Sequence, residues 1–156
     1  MLCVVAPEVV CRALGVADFA DAYVLYTDLV GADRMAPHDL ARAQFRTLLD
    51  HPGTSLIGAE RGGEVLAMAT LHLLPNLTYG GRPYALVENV VTRRAYHGQG
   101  LGRAVMQAVI VQAWGQDAYK IMLLTGRGAG ALGFYAKLGF DADEKQGMTL
   151  RRVPLR

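Results

Sequence analysis

Cysteine is scarce in this chain, which has only Cys3 and Cys11 among its 156 residues. Two thiols near one end do not predict a disulfide framework. Long apolar runs are missing too: none reaches the roughly 18 residues that span a bilayer. The first residues also lack the positively charged segment of a signal peptide. These absences lead us to expect a cytoplasmic protein that does not enter a membrane.

A strong charge of one sign is also absent, because 16 basic residues nearly balance 14 acidic ones and leave a net charge of +2. No broad basic field is available to bind phosphate backbones, so nucleic acid is not an expected partner. The cysteines and histidines show no metal-ligand spacing, and no metal site is predicted. Glycine, in contrast, is abundant, with 18 residues. Its clusters lie at 58–63, 80–81, 98–102 and 126–133.

Hydrophobic periodicity and turn residues predict alternating strands and helices. The expected order is β-α-α-β-β-β-α-β-α-β-β. Strands are expected at 9–14, 55–60, 64–74, 84–92 and 120–125, with a terminal hairpin from 140 to 153. Helices are expected at 19–29, 37–49, 101–114 and 134–138.

The strand–helix–strand unit from 84 to 125 requires a crossover, which makes its two strands parallel. The hairpins beside this unit are antiparallel. The predicted fold therefore combines α-helices and β-strands (α/β in the broad sense, with an α+β-type sheet). The sheet is expected to be mixed and mostly antiparallel, with helices on both faces. The apolar run 120–125 does not alternate, which predicts burial on both of its faces. No linker is visible, so residues 1–156 are expected to form a single domain.

The glycines at 98–102 follow a strand and precede a helix. Backbone N–H groups left unpaired there, together with the helix dipole, form an anion site suited to a pyrophosphate. A side chain at Gly98, Gly100 or Gly102 would hold the phosphate away from the backbone, and Arg103 can add a charge-assisted contact. The spacing fits neither the dinucleotide fingerprint nor the P-loop. Alone, such a loop is often only a turn.

Three motifs together carry a resemblance: Glu88-Asn89-Val90-Val91-Thr92, then His97-x-x-Gly100-x-Gly102, then Phe134-Tyr135-x-x-Leu138-Gly139-Phe140. They resemble the GNAT superfamily of acyl-CoA-dependent N-acetyltransferases from about residue 54 to the end. One departure is visible, because the family's loop usually opens with Arg or Gln where this chain has His97. A mostly neutral imidazole there would contribute less charge to phosphate binding.

The resemblance implies acetyl-CoA as cosubstrate. The strand 84–92 would splay from 120–125, often beside a β-bulge, and its backbone would pair with the acyl-pantetheine. The pantetheine would thus lie along Val90, Val91 and Thr92, which are otherwise ordinary core or strand residues. The pyrophosphate would bind His97, Gly98, Gln99, Gly100, Leu101, Gly102 and Arg103.

Catalysis needs an acid for the departing thiolate and a base for the attacking amine. Tyr135 matches the family position that protonates the thiolate, although it can equally be a packed aromatic residue. Glu88 is the first candidate to relay a proton from the amine through water, and a hydrogen-bonded strand carboxylate is the alternative. His72 is the second candidate. A base is needed less for an α-amine, whose pKa is about 7.7–8.0, than for a lysine-like amine at about 10.4.

The acceptor pocket is expected to be aromatic and weakly polar. Its predicted members are Tyr26, His72, Tyr79 and Tyr84, while Arg127 is either a carboxylate or phosphate contact or plain surface. The expected function is direct acetyl transfer in a ternary complex to the primary amine of a small molecule or to an α-amino group. A non-catalytic acyl-CoA sensor and an interaction protein without coenzyme A are the alternatives. The family resemblance also suggests a homodimer.

Overall fold

Five strands form one sheet, and they lie side by side in the order in which they occur in the sequence. The computed structural model describes residues 8–126 and 130–152. Strands β1 to β4 are antiparallel neighbours, whereas β5 runs parallel to β4. The mixed, mostly antiparallel sheet is therefore confirmed. The bounds are β1 Val9–Ala13, β2 Thr54–Arg61, β3 Glu64–Leu74, β4 Tyr84–Thr92 and β5 Ile121–Leu123.

Two helices cover one face of this sheet. Helix α1 spans Phe19–Val30 and α2 spans His38–Asp50. The inward positions of α1 recur at helical spacing and are buried, as an amphipathic helix requires. They pack in one cluster with side chains from β2, β3 and β4. This cluster includes Phe19, Ala22, Leu25, Phe45, Leu56, Met68 and Val91.

The opposite face is covered by α3, which spans Leu101–Gly115. Its inward stripe, Leu101, Val105, Met106, Val109 and Ala113, is buried. Gln112 Nε2 donates a hydrogen bond of 2.9 Å to the Ser55 Oγ atom of β2, whose side chain points away from that of its neighbour Leu56. Helices on both faces are thus confirmed.

The chain divides into two compact units, Met1–Leu123 and Leu124–Arg156. The first contains the sheet and α1 to α3. In the second, α4 spans Ala131–Ala136, and Gly139 has a positive φ of 96° three residues later. The single-domain expectation stays a prediction. Cys3, Arg127 and the end of the expected hairpin at Val153 lie outside the described residues.

The expected terminal hairpin was wrong for the part of residues 140–152 that the structure describes, because no strand forms there. Residues 141–152 are all exposed. Met148 and Leu150, which would have formed its apolar positions, are 90% and 102% exposed. A hairpin whose apolar side chains bury nothing gains too little to offset the loss of backbone entropy.

The expected burial of β5 on both faces was also wrong. The strand has three residues, none of them buried. It has β4 on one side and no strand on the other within the described sheet. A continuous apolar run therefore identified the strand but not its place at the sheet edge.

One carboxylate joins α1 to two other elements. Asp21 Oδ2 accepts the Val65 backbone N–H of β3 at 2.9 Å, and its Oδ1 accepts the Arg93 guanidinium at 2.8 Å. Arg93 directly follows β4, and its own N–H donates to the Leu66 carbonyl. Asp21 thus fixes the point at which the chain leaves the sheet for the glycine-rich loop.

Candidate active site

The loop before α3 presents a row of free backbone donors. Gly98 and Gly100 have φ values of 75° and 80°, a conformation that glycine adopts without steric cost. Among the described residues, none of the backbone N–H groups from Gly98 to Arg103 donates a hydrogen bond, and the first helical bond runs from Ala104 to the Gly100 carbonyl. Consecutive free N–H groups at a helix start form a concave anion site. The loop therefore fits the pyrophosphate of a coenzyme.

The His97 side chain is hydrogen-bonded to the end of β4. Its Nε2 atom lies 2.9 Å from the Thr92 carbonyl oxygen, which can only accept, so Nε2 carries the hydrogen. The remaining nitrogen, Nδ1, can donate to a phosphate only when the imidazole is doubly protonated. An Arg or Gln side chain at this position could always donate a hydrogen bond to phosphate. His97 instead acts as a brace, because its hydrogen bond links the loop to β4.

A second brace was missed by the sequence reasoning. Arg61, the last residue of β2, donates from Nη2 to Gln99 Oε1 at 2.7 Å. Its guanidinium also lies 5.3 Å from the Tyr96 ring centroid, within cation–π range. Gln99 is therefore held by its side chain while its backbone N–H stays free. The pairing of Ala67 with Thr92 brings this end of the β2–β3 hairpin beside the loop. No local sequence motif indicates that Arg61 and Gln99 will be in contact.

Strand β4 is paired with β5 over only part of its length. The pairs are Ala85 with Ile121, Leu86 with Met122 and Val87 with Leu123. From Glu88 to Thr92, β4 has no partner on that side among the described residues. The backbone of Val90, Val91 and Thr92 thus has no strand paired with it on that side within the described sheet.

A β-bulge in the β3–β4 pairing lies just beyond Val87, the last residue of β4 that pairs with β5. Thr70 pairs with Glu88 and Met68 with Val91, so one residue of β3 faces two of β4. The bulge includes Asn89, whose φ of 54° is left-handed. Asparagine tolerates this conformation better than most residues. Bulges bend a strand and often lie beside active sites.

Glu88, His72 and Tyr84 share one face of the sheet, because residues paired across strands point the same way. Thr70 pairs with Glu88, His72 with Leu86, and Leu74 with Tyr84. This is the face that α1 covers, since Thr70 lies beside the Tyr26 phenol of that helix. The structure therefore brings these three predicted site residues and Tyr26 to one surface. Glu88 is exposed there.

Tyr26 has a buried hydroxyl without a hydrogen-bond partner among the described residues. Burial raises the pKa of Tyr26, and the nearby Thr70 hydroxyl opposes this shift without reaching hydrogen-bond geometry. A buried phenol without a partner is costly. The Tyr26 hydroxyl is thus an unsatisfied buried polar group on the face of the sheet that also carries Glu88.

Tyr79 and Tyr84 belong to an aromatic row that also contains Tyr119 and Lys120. The Tyr79 and Tyr119 rings stack at 4.1 Å with an interplanar angle of 11°. The Lys120 ammonium lies 5.5 Å from the Tyr84 centroid and 5.4 Å from that of Tyr119. The sequence reasoning missed Tyr119 and Lys120, because they precede β5 and meet Tyr84 only through strand pairing.

Two histidines meet at the far end of the same face. Thr54 Oγ1 lies 2.9 Å from His72 Nδ1 and 2.9 Å from His51 Nδ1. The turn 51–54 brings them together, with the Gly53 carbonyl accepting the Leu73 N–H. A Cβ on Gly53 would lie 2.5 Å from the Leu73 carbonyl oxygen, so glycine is required for this approach.

Tyr135 lies in the second compact unit, on α4. Its ring meets Phe134 and Phe140 edge-on at 5.0 and 5.9 Å. Burial raises the pKa of Tyr135, so the phenol keeps its proton at neutral pH. It can therefore donate a hydrogen bond or a proton, as the expected acid must.

Metal ligation finds no support in residues 8–126 and 130–152, where no group of three His, Cys, Asp or Glu side chains could hold an ion. Within the same ranges, no helix has the length and apolar character needed to cross a bilayer. Cys11 is a free thiol whose pKa is raised by burial.

The sequence of residues 19–140 matches the Acetyltransferase (GNAT) family. The chain belongs to the GNAT acetyltransferase family. Family membership and the acetyltransferase relatives described next support acetyl-CoA as its cosubstrate and acetyl transfer to an amine as its reaction.

Two curated relatives carry specific names. Over 84 residues this GNAT chain is 36% identical to glucosamine 6-phosphate N-acetyltransferase of Trypanosoma brucei brucei, covering 54% of the chain and 56% of that relative. Over 143 residues it is 30% identical to L-methionine sulfoximine/L-methionine sulfone acetyltransferase of Pseudomonas aeruginosa, covering 83% and 78%. The first match thus spans only about half of that relative's length.

Among solved structures, a protein of Agrobacterium tumefaciens provisionally assigned as an acetyltransferase superposes with a TM-score of 0.86. The two sequences are 40% identical, and the superposition covers 92% of this GNAT chain and 99% of the other.

Proposed function

We propose that this GNAT acetyltransferase transfers an acetyl group from acetyl-CoA directly to the primary amine of a small, amino-acid-like molecule in a ternary complex. The proposal rests on one observation: the unpaired edge of a strand continues directly into a loop with free backbone N–H groups. Free N–H groups run from Gly98 to Arg103, and the unpaired edge of β4 from Glu88 to Thr92 leads into them. An elongated ligand with an amide-bearing arm and a pyrophosphate fits both.

The coenzyme is proposed to bind along this path. The backbone of Val90, Val91 and Thr92 would pair with its amide-bearing arm and polarise the thioester carbonyl. Its pyrophosphate would bind the loop backbone, with the exposed Arg103 adding a charge. The remaining contributors are His97, Gly98, Gln99, Gly100, Leu101 and Gly102.

The proton steps are assigned to three side chains. The acceptor amine must lose a proton before its lone pair can attack, and Glu88 and His72 lie on the face from which it would approach. The departing thiolate needs a donor, and Tyr135 is proposed for that role because burial keeps its phenol protonated. The acceptor's other contacts are proposed to be Tyr26, Tyr79 and Tyr84.

An α-amine is the favoured acceptor for a chemical reason. Its pKa of about 7.7–8.0 leaves a usable neutral fraction near pH 7, whereas a lysine-like amine at about 10.4 costs roughly 4.6 kcal/mol to deprotonate. The similarity to the L-methionine sulfoximine/L-methionine sulfone enzyme, which covers 83% of the chain, agrees with an amino-acid-like substrate. The trypanosomal relative makes an amino sugar the second compound to test.

The test is release of free thiol from acetyl-CoA in the presence of single amines. The panel contains L-methionine sulfoximine, L-methionine sulfone, glucosamine 6-phosphate and Nα-acetyl-lysine, and calorimetry measures coenzyme A binding in parallel. We expect thiol release with an α-amino acid and little with Nα-acetyl-lysine. Coenzyme A binding without thiol release on any amine would instead identify a sensor. Absence of coenzyme A binding would contradict both the acetyltransferase and the sensor hypotheses.

Three further assignments remain proposals. One domain over residues 1–156, a cytoplasmic location and a homodimer agree with the family resemblance. Light scattering across protein concentrations tests the dimer, cell fractionation tests the location, and a single calorimetric transition tests the domain.

A further inference from the structure

The hydrogen-bond chain His51–Thr54–His72 has only one consistent order of protons. A threonine hydroxyl has one hydrogen, so it can donate to only one of the two imidazole nitrogens that lie 2.9 Å away. The other imidazole must then donate to it. The order depends on which Nδ1 atom carries a hydrogen.

The Gly53 backbone decides this. Its N–H donates to His51 Nδ1 at 3.3 Å, so that nitrogen is an acceptor. The Thr54 hydroxyl hydrogen therefore goes to His51 Nδ1 as well. The Thr54 oxygen accepts from His72, whose Nδ1 must carry a hydrogen. In the neutral ring of His72, the lone pair is then on Nε2.

His72 Nε2 is also accessible. It makes no hydrogen bond within the described residues, and it is not among their buried unpartnered atoms. The groups that face His72 are Thr54 on β2, His51 at the end of α2, and Leu86 opposite on β4. Glu88 is the diagonal neighbour on β4, and such neighbours lie about 7–8 Å apart. Tyr26 of α1 lies beside Thr70, one pair along. His72 and Glu88 are therefore diagonal neighbours on the same face of the sheet.

We propose that Thr54 and His51 are positioning residues that hold His72 with its hydrogen on Nδ1 and present Nε2 as the proton acceptor for the substrate amine. This inference rests on the proposed function. An N–H bond of the substrate ammonium breaks, its proton bonds to Nε2, and the electron pair stays on the amine for attack on the thioester carbon. His72 later returns the proton to solvent.

The chain assists this step because it strengthens when His72 becomes charged. The Nδ1–H of an imidazolium is a stronger donor than that of a neutral ring, and the Thr54 hydroxyl relays the polarisation to His51. His51 and Thr54 thereby stabilise the charged form that exists only after proton transfer.

The experiment is imidazole ¹⁵N NMR of the free protein, combined with kinetics of Thr54→Val and Thr54→Ser. In the unmodified protein, His72 should show its hydrogen on Nδ1. Thr54→Val should move it to Nε2 and lower kcat about tenfold, the effect of one hydrogen bond, with the acceptor KM little changed. Thr54→Ser should restore both, because it keeps the hydroxyl.

Thr47→Val is the matched control, since within the described residues the Thr47 hydroxyl donates only to the Ala43 carbonyl, on the exposed side of α2. Circular dichroism verifies that each variant is folded. A hydrogen on Nε2 of His72 in the unmodified protein would overturn the proposal, as would Thr54→Val with unchanged kcat. If no amine releases thiol, the proposed function and the proton-acceptor role both fail, while the NMR still decides the hydrogen order by itself.

Discussion

The Asp21 side chain joins three parts of the fold, because it hydrogen-bonds from α1 to β3 and to the residue after β4. Asp21→Ala leaves the Val65 N–H and the half-buried Arg93 guanidinium without their acceptor. We expect the free energy of unfolding to fall by about 2–3 kcal/mol in urea denaturation. Asp28→Asn is the control: its ion pair with the largely exposed Arg94 spans 4.0 Å, so it should cost less than about 0.5 kcal/mol. Equal losses in the two variants would refute the role of Asp21.

Tyr135 gives a second prediction for one side chain. Tyr135→Phe keeps the ring contacts but removes the donor, so kcat should fall about 100-fold with the KM for acetyl-CoA unchanged. Because burial raises the phenol's pKa, the donor stays protonated up to and beyond its ordinary value of 10.0. Tyr23→Phe is the control, since the one hydrogen bond of the Tyr23 hydroxyl within residues 8–126 and 130–152 is a long one, donated to the Ala36 carbonyl at 3.5 Å. Steady-state kinetics decides, and an unchanged kcat would remove Tyr135 from the mechanism.

For whole elements, the start of α3 is the most sensitive point. Gly100 is its N-cap with φ 80°, and an alanine in left-handed conformation costs about 1–2 kcal/mol. Gly100→Ala should therefore displace the free N–H groups and weaken coenzyme A binding about tenfold by calorimetry. Gly115→Ala, at the other end of the helix with open space around its Cβ position, should leave the affinity unchanged. Unaltered binding in Gly100→Ala would contradict the loop assignment.

Element type and order were predictable wherever local periodicity decides them. The bounds of β3 and β4 agree with the prediction, and α1 ends at Val30, one residue beyond the predicted range 19–29. The free edge of β4 was expected only from the family resemblance, whereas the loop was predicted as an anion site from the glycines between a strand and a helix. Position within the sheet was not predictable: the exposure of β5, the Arg61–Gln99 contact and the Thr54–His72 bond all depend on strand register. The register shifts between Ala59 and Glu60 and between Met68 and Thr70 alter which residues face each other, and the periodicity of the sequence did not reveal them.

At the scale of the whole molecule, pH dependence of stability follows from one surface network. Arg12 donates to Asp18 and Glu60, and its hydrogen bonds lower the pKa of Asp18 below the ordinary 3.8. A lowered folded pKa means that this stabilisation is present above the unfolded value and lost as pH falls through the folded one. Since Arg12 is 38% exposed, we expect only about 1 kcal/mol.

Acid denaturation below pH 4 measures this loss. Asp18→Asn should flatten the acid limb of the stability curve, whereas Asp143→Asn, an exposed carboxylate in the second unit, should not. At the alkaline end the sign reverses: the raised pKa values of Tyr26 and Tyr135 give stability that is lost as pH rises above about 10. An acid limb that is identical with and without Asp18 would exclude the network as its cause.

The stretch of β4 beyond Val87 has a further consequence. A sheet edge with unpaired N–H and C=O groups can accept a further strand, and in the proposed complex the cosubstrate would take that place. Folding and metabolism are then linked by mass action, since a ligand at one hundred times its Kd stabilises the native state by about 2.7 kcal/mol. If the cosubstrate pairs with this edge, the resistance of the purified protein to proteolysis should increase with the concentration of acetyl-CoA.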